Sequence, residues 1–194
     1  MSTVVFVDGA YLDKLLELNF NMAKVDYAKF VDLLTVETST DNESPSKVFY
    51  YHCPPYLPYE PTDFERSRYN NKMRFFGALK QLNGFTTRLG RLVFRGIKKD
   101  TDKPIFVQKK VTTQFALDFM DVVYNEDKVN RIVIVAGDSE YVPLIEAAAE
   151  SDLDVTLCHG TSKDRNNNMV HKSLYDACSQ QYEITNDLIQ RCLR

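Results

Sequence analysis

The chain has 194 residues, of which 44% are hydrophobic and 26% are charged, a globular balance that can supply a full core. Its formal net charge of −3 excludes a histone-like polycation but permits a local basic strip that binds nucleic acid. The four cysteines form no CxxC pair, the three histidines have no HxxxH or HExxH spacing, and no apolar run is long enough to span a membrane. We therefore expect a cytoplasmic protein with reduced thiols, no dedicated zinc site and no membrane partner.

The first segment indicates the architecture. Residues 3–7 (TVVFV) are apolar and mostly β-branched, which is typical of a strand buried on both faces of a parallel sheet. Asp8 and Gly9 end this run, and leucines at helical spacing follow. The pattern therefore places Asp8 at the carboxyl end of a strand.

The remaining pattern alternates strands with helices. Further helices are predicted over residues 26–34, 62–82, 111–124, 139–150, 171–179 and 186–193. Further strands are predicted over 47–53, 85–94, 131–136 and 154–158, with 105–107 as a partner strand in a possible edge hairpin near 85–108. This alternation predicts one domain, residues 1–194, with an α/β fold in which helices cover both faces of a mainly parallel sheet.

Two acids fall at the carboxyl ends of predicted strands, where open α/β sheets bind ligands. Asp8 follows TVVFV and Asp138 follows RIVIVAG. An unpaired carboxylate in apolar surroundings is costly, and a divalent cation such as Mg²⁺ or Mn²⁺ would compensate it. Each acid could instead be a helix N-cap, and the sequence leaves that alternative open.

Further acids lie near these two. Glu140 falls two residues after Asp138, and Asp118 lies inside the helix 111–124, where periodicity does not decide between solvent and a site. Asp13 and Asp121 are predicted to be solvated positions on helices.

Four segments together resemble one known family: VFVDGAYL, KKVTTQFALDFM, VIVAGDSEYVPLIEAAAE and LYDACSQQYEI. In order and spacing they resemble the NYN domain, in its LabA-like branch, a relative of PIN nucleases, over about residues 3–185. The resemblance implies a PIN-like three-layer α/β/α sandwich whose acids bind Mg²⁺ or Mn²⁺ for RNA cleavage. By position it implies Asp8, Asp118 and Asp138 as metal ligands, with Glu140 in place of the family's second Asp in that segment.

The chain also departs from the family pattern. Tyr11 stands where the family usually has Asn, Thr112 where it has Asp, Lys110 where it has Gly, and Ser179 where it has an acid. Loss of the carboxylate at Thr112 leaves three aspartates and Glu140 for the site.

A basic strip accompanies the acids. Residues 88–110 carry eight Lys or Arg side chains against two Asp, and basic groups with nearby aromatics are typical of single-strand binding. The candidate RNA-binding residues are Lys109, Lys110, Arg95, Lys163, Arg165 and Tyr11. The expected partner is RNA, single-stranded or structured such as tRNA.

Two functions follow from these residues. The first is a divalent-metal-dependent ribonuclease that hydrolyses phosphodiester bonds with Asp8, Asp118, Asp138 and Glu140 as catalytic residues. The second is a catalytically weakened NYN module that binds RNA or a protein partner without cleavage. A haloacid dehalogenase-type phosphatase is disfavoured by Ala10, where that chemistry needs Asp, and a dinucleotide enzyme by the absence of GxGxxG. Oligomeric state is left open.

Overall fold

The computed structural model describes residues 2–39, 44–126, 128–161 and 169–194. The strands are β1 (Ser2–Asp8), β2 (Lys47–His52), β3 (Phe85–Leu89), β4 (Arg91–Ile97), β5 (Pro104–Lys109), β6 (Val129–Val135), β7 (Asp154–His159) and β8 (Gln180–Glu183). The helices are α1 (Gly9–Asn19), α2 (Tyr27–Glu37), α3 (Asp63–Lys80), α4 (Val111–Asn125), α5 (Val142–Glu150), α6 (Lys172–Ala177) and α7 (Asn186–Arg191).

Six strands form one sheet in the order β3-β2-β1-β6-β7-β8, and every neighbouring pair is parallel. The two most apolar runs, β1 and β6, pair at its centre, with Val7 opposite Val135. Val5 and Val7 pack with α1, α2 and α7, whereas Val4 and Phe6 pack with α4, α5 and α6. This alternation buries both faces, so the predicted three-layer α/β/α architecture with a mainly parallel sheet is confirmed.

The predicted strand 85–94 is two strands in the structure. β3 extends the main sheet beside β2, and β4 pairs with β5 as a separate antiparallel hairpin. The chain divides at Gly90, where a Cβ atom would lie 2.4 Å from the carbonyl oxygen of Lys109 and 2.7 Å from a methyl of Val111. Only glycine permits this close approach, so the hairpin leaves the sheet here and meets the start of α4.

Two other elements differ from the pattern. The predicted helix 139–150 begins with a 3-10 turn, Ser139–Tyr141, before α5 starts next to Pro143. The predicted helix 171–179 ends at Ala177, and the short strand β8 follows it at the edge of the sheet. No strand was predicted there, because QQYE is polar and contains no apolar run. Asp26 caps α2, and all four cysteines are buried and free of disulfides.

Candidate active site

Asp8 stands where β1 ends and α1 begins. Its Oδ1 accepts backbone hydrogen bonds from Ala10 at 3.0 Å and Tyr11 at 3.1 Å, so the aspartate is the N-cap of α1. Its Oδ2 accepts a hydrogen bond from the hydroxyl of Tyr141 at 2.9 Å. Burial raises the pKa of Asp8 even though these three donors favour the charged form. Asp8 is therefore the N-cap of α1 and, at the same time, a candidate acid of the site.

Asp138 occupies the equivalent position after β6. Its Oδ1 accepts the backbone N–H of Glu140 at 3.0 Å and caps the 3-10 turn. The Glu140 side chain is exposed, and its Oε2 accepts a hydrogen bond from the hydroxyl of Thr112 at 3.0 Å. Thr112, which replaces the expected family acid, thus orients Glu140 from the first turn of α4.

Tyr141 connects the two capping acids. It belongs to the turn that Asp138 caps, and its hydroxyl reaches Asp8. Burial raises the pKa of Tyr141, and the negative charge of Asp8 raises it further, so the hydroxyl remains a donor at neutral pH. Its ring packs against Phe115, with centroids 4.3 Å apart.

Asp118 projects from the middle of α4 and forms an ion pair with an arginine side chain. The Nε and Nη2 atoms of Arg88 donate to its two carboxylate oxygens at 2.9 and 2.8 Å. The hydroxyl of Tyr51 donates to Oδ2 at 2.9 Å, and the ring of Tyr51 lies 4.8 Å from that of Phe115. The sequence left open whether Asp118 faces solvent or a site. In the structure its side chain is only 15% exposed and turns toward β2 and β3.

A second charged cluster, which the sequence analysis missed, lies near Asp8. The prediction that Asp13 is merely solvated is wrong: its carboxylate lies 3.0 Å from Nε2 of His52 and 2.5 Å from Nζ of Lys72. Burial opposes ionisation, but the hydrogen bonds from His52 and Lys72 lower the pKa of Asp13 overall. Only the position of His52 at the end of β2 could have signalled this cluster. Asp121 is exposed and bonds only to Asn125 among the residues described, as expected for a solvated helix position.

The predicted RNA-binding residues separate into three groups. Arg95, Lys109 and Lys110 line one groove beside the hairpin. Tyr11 is 9% exposed, and its hydroxyl accepts the backbone N–H of Gly160 at 3.0 Å, so this ring packs in the core. Burial raises the pKa of Tyr11 to about 12. Lys163 and Arg165 lie outside the described residues.

The fit of these acids to a divalent cation depends on their present partners. Neither Asp8 nor Asp138 makes an ion pair within the described part of the chain, whereas Asp118 is neutralised by Arg88. Among residues 2–39, 44–126, 128–161 and 169–194, no group of three or more His, Cys, Asp or Glu side chains is arranged to hold a metal. Mg²⁺ commonly takes one or two carboxylates, with water and substrate phosphates completing its shell. Asp8 and Asp138 fit that role, and Asp118 does not while Arg88 holds it.

A parallel sheet with helices on both faces and acids at the carboxyl ends of its two central strands defines an α/β protein of the PIN-like three-layer class. The sequence profile of the NYN domain matches residues 2–185. The chain therefore belongs to the NYN domain family, a family of PIN-like nucleases, as the sequence motifs predicted. The LabA-like branch stays a prediction.

A search of the curated proteins found no match to this chain. Within the described ranges, no helix is both long enough and apolar enough to cross a membrane.

Proposed function

We propose that this protein is a ribonuclease that hydrolyses RNA phosphodiester bonds at the carboxyl edge of its sheet. The observation that carries the proposal is the pair Asp8 and Asp138, which stand at the ends of adjacent parallel strands with no bonded cation among the described residues. Asp8 is partly buried, which raises its pKa, and Asp138 is exposed at the end of the adjacent strand. Two acids without an ion-pair partner in the described part of the chain therefore lie at the ligand-binding edge, which favours a site. Membership of a family of PIN-like nucleases supports the same activity.

The surrounding side chains orient these acids. Tyr141 fixes Oδ2 of Asp8, and the start of α1 fixes Oδ1, so that carboxylate has little rotational freedom. Thr112 holds Glu140 over the same edge, where its free oxygen can accept a proton from an attacking water. Asp8 and Asp138 would hold Mg²⁺ or Mn²⁺ together with RNA phosphate oxygens. A bound cation would supply positive charge for the phosphate and Lewis acidity for the attack of water.

Cleavage of RNA by the purified protein tests this proposal. A mixture of fluorescent RNAs that includes tRNA is expected to be cleaved with Mn²⁺ or Mg²⁺ and to stay intact with EDTA. Asp138→Asn is expected to lower the rate by at least about tenfold, because it removes one of two charged ligands. Asp154→Asn is the matched control, since Asp154 is exposed at the start of β7, on the opposite edge of the sheet. Equal cleavage by Asp138→Asn and wild type would place the site elsewhere.

The alternative is a family member that binds RNA or a protein partner without cutting. Two observations favour it: Thr112 lacks the family carboxylate, and Arg88 occupies the oxygens of Asp118. Under this alternative the protein retains RNA in EDTA and cleaves none with any metal. In the first case we propose RNA as the partner, in the second RNA or a protein, and in both the cytoplasm as the location.

Restoring the family acid tests whether position 112 contributes to metal binding at this site. Thr112→Asp places a fourth carboxylate beside Glu140, so it is expected to tighten Mn²⁺ binding by about tenfold, as titration calorimetry would show. The added repulsion should lower the melting temperature in EDTA and spare it in Mn²⁺. Thr113→Asp adds the same charge one residue away on an exposed position and is the control. If both variants bind Mn²⁺ equally, position 112 does not contribute to the site.

A further inference from the structure

A basic groove lies between the β4–β5 hairpin and the start of α4. Its volume is about 490 Å³, which is within the range of small-molecule binding sites. A ligand of nucleotide size would fit it. Four cationic side chains line it: Arg91, Arg95, Lys109 and Lys110. We call the space bounded by these four residues the basic groove.

The strand register explains why four positive charges converge. Arg91 pairs with Lys109 across the hairpin, so both side chains share one face. Arg95 lies two pleats along the same strand, at a bulge that Gly96 permits with a φ of 138°. In the described ranges none of the four forms an ion pair, unlike Arg88. Four uncompensated cations repel one another, and an anion in the groove would relieve that repulsion.

The start of α4 adds to this field. Lys110 begins the helix in the left-handed region with a φ of 75°, and no side chain caps the first turn. The amino end of a 15-residue helix therefore presents its dipole and N–H groups beside the four cations. Gln114, which also lines the groove, has its Oε1 enclosed without a donor among the described residues.

The other face of the hairpin holds the groove in place. Phe94 and Phe106 lie opposite each other, with ring centroids 5.9 Å apart, and Tyr56 packs 5.1 Å from Phe106. Leu92 packs against the core beneath α4. This aromatic side fixes the hairpin, so its cationic face is preorganised for binding.

We infer that the basic groove binds the terminal phosphate of an RNA strand. A phosphomonoester carries between −1.5 and −2 charges at neutral pH, roughly twice the charge of a backbone diester. Cations that converge on one cavity suit a single strongly charged group, whereas cations spread along a track suit successive diesters. The apolar wall at Val93 and the side-chain amide of Gln114 suit the attached nucleoside. Thr112, next to the groove, bonds to Glu140, so a strand anchored here leads to the acids.

That RNA is the ligand rests on the proposed function, but the test needs no cleavage. Short RNAs labelled internally would carry a 5′-phosphate, a 3′-phosphate or hydroxyls at both ends, and anisotropy would report binding in EDTA. The strand with one of the two terminal phosphates is expected to bind at least about tenfold more tightly than the hydroxyl strand. Which end is preferred would identify the direction of the strand.

Charge variants then assign the preference to the groove. Arg95→Gln and Lys109→Gln are each expected to reduce the preference for the phosphorylated end severalfold. Each should also lower the slope of log affinity against log salt concentration by about one. Lys99→Gln removes the same charge from the exposed turn of the same hairpin and is expected to change neither. All these positions are exposed, so melting temperatures should match the wild type.

Equal binding of all three strands would overturn the inference, and so would a preference that both groove variants retain. Either result would leave the proposed nuclease intact if metal-dependent cleavage persisted. Conversely, a preference for the phosphorylated end without any cleavage would support the groove and contradict the nuclease.

Discussion

Replacing Asp8 with asparagine is expected to lower RNA cleavage by more than about 100-fold and, at the same time, to stabilise the metal-free protein. Asparagine is as good an N-cap as aspartate, so its Oδ1 can keep the hydrogen bonds from Ala10 and Tyr11. Its Nδ2 would face the hydroxyl of Tyr141, which can turn from donor to acceptor. The substitution therefore removes a charge and little else.

The direction of the stability change follows from the pKa of Asp8. Burial raises this pKa above its ordinary value of 3.8, so the folded protein binds the proton more tightly than the unfolded chain does. The wild type consequently loses stability as the pH rises from 3.8 to the raised pKa, and above that pH the loss is complete. The variant avoids this loss. The melting temperature of Asp8→Asn should equal that of the wild type near pH 4 and exceed it by the full amount at neutral pH.

Thermal unfolding of both proteins in EDTA between pH 4 and pH 8 measures the difference in stability. RNA cleavage in Mn²⁺ measures the expected loss of activity. Asp26→Asn is a close control, because Asp26 caps α2 through backbone N–H groups of Ala28 and Lys29 at 3.0 and 3.2 Å, away from the acids. It is expected to leave cleavage unchanged. A destabilised Asp8→Asn protein would contradict the prediction and show that the charge at Asp8 is compensated in the fold.

The sequence partly revealed why Asp8 is expected to favour activity at the expense of stability. An aspartate between a buried strand and a helix predicts both a cap and a position at the ligand-binding edge, and the structure shows the cap at Asp8 and at Asp138. Local pattern suffices here because each aspartate bonds to backbone within three residues. The identity of Tyr141 as the donor that links the two acids required the folded sheet, since Asp8 lies 133 residues away in sequence.

The predicted edge hairpin is present as β4 and β5, but the division of the chain at Gly90 shows where pattern reasoning fails. Alternation continued across Gly90, so one strand was predicted, although the chain leaves the sheet there because Lys109 and Val111 crowd the backbone. That crowding is a contact between segments distant in sequence, and no local period encodes it. The same holds for Asp13, whose partners His52 and Lys72 come from β2 and α3.

Arg88 gives the second large expected effect, because it decides whether Asp118 can serve as a ligand. Its guanidinium forms a bidentate pair with Asp118, a geometry that favours the pair strongly over a single contact. Arg88→Gln would leave a carboxylate that is 15% exposed with Tyr51 as its remaining donor. Because Arg88 is itself 43% exposed, we expect a loss of about 1–3 kcal/mol in the free energy of unfolding in EDTA.

The same substitution should strengthen metal binding. Freed from the guanidinium, Asp118 adds a third charged oxygen donor near Asp8, whose partner residue in the β1–β2 register is Tyr51. We expect Mn²⁺ to bind at least about tenfold more tightly to Arg88→Gln than to the wild type, and its addition to recover the lost stability. Titration calorimetry and melting temperatures with and without Mn²⁺ measure these two effects.

Two further variants show whether Asp118 causes the expected gain in Mn²⁺ affinity. Arg91→Gln removes one positive charge from the neighbouring strand without freeing Asp118, so it measures the general electrostatic contribution to metal affinity. Arg88→Gln combined with Asp118→Asn should return Mn²⁺ affinity to the wild-type value if Asp118 is the new ligand. If instead Arg88→Gln binds Mn²⁺ no better than Arg91→Gln does, the pair of Arg88 and Asp118 belongs to the scaffold. The metal would then depend on Asp8, Asp138 and the phosphates of bound RNA.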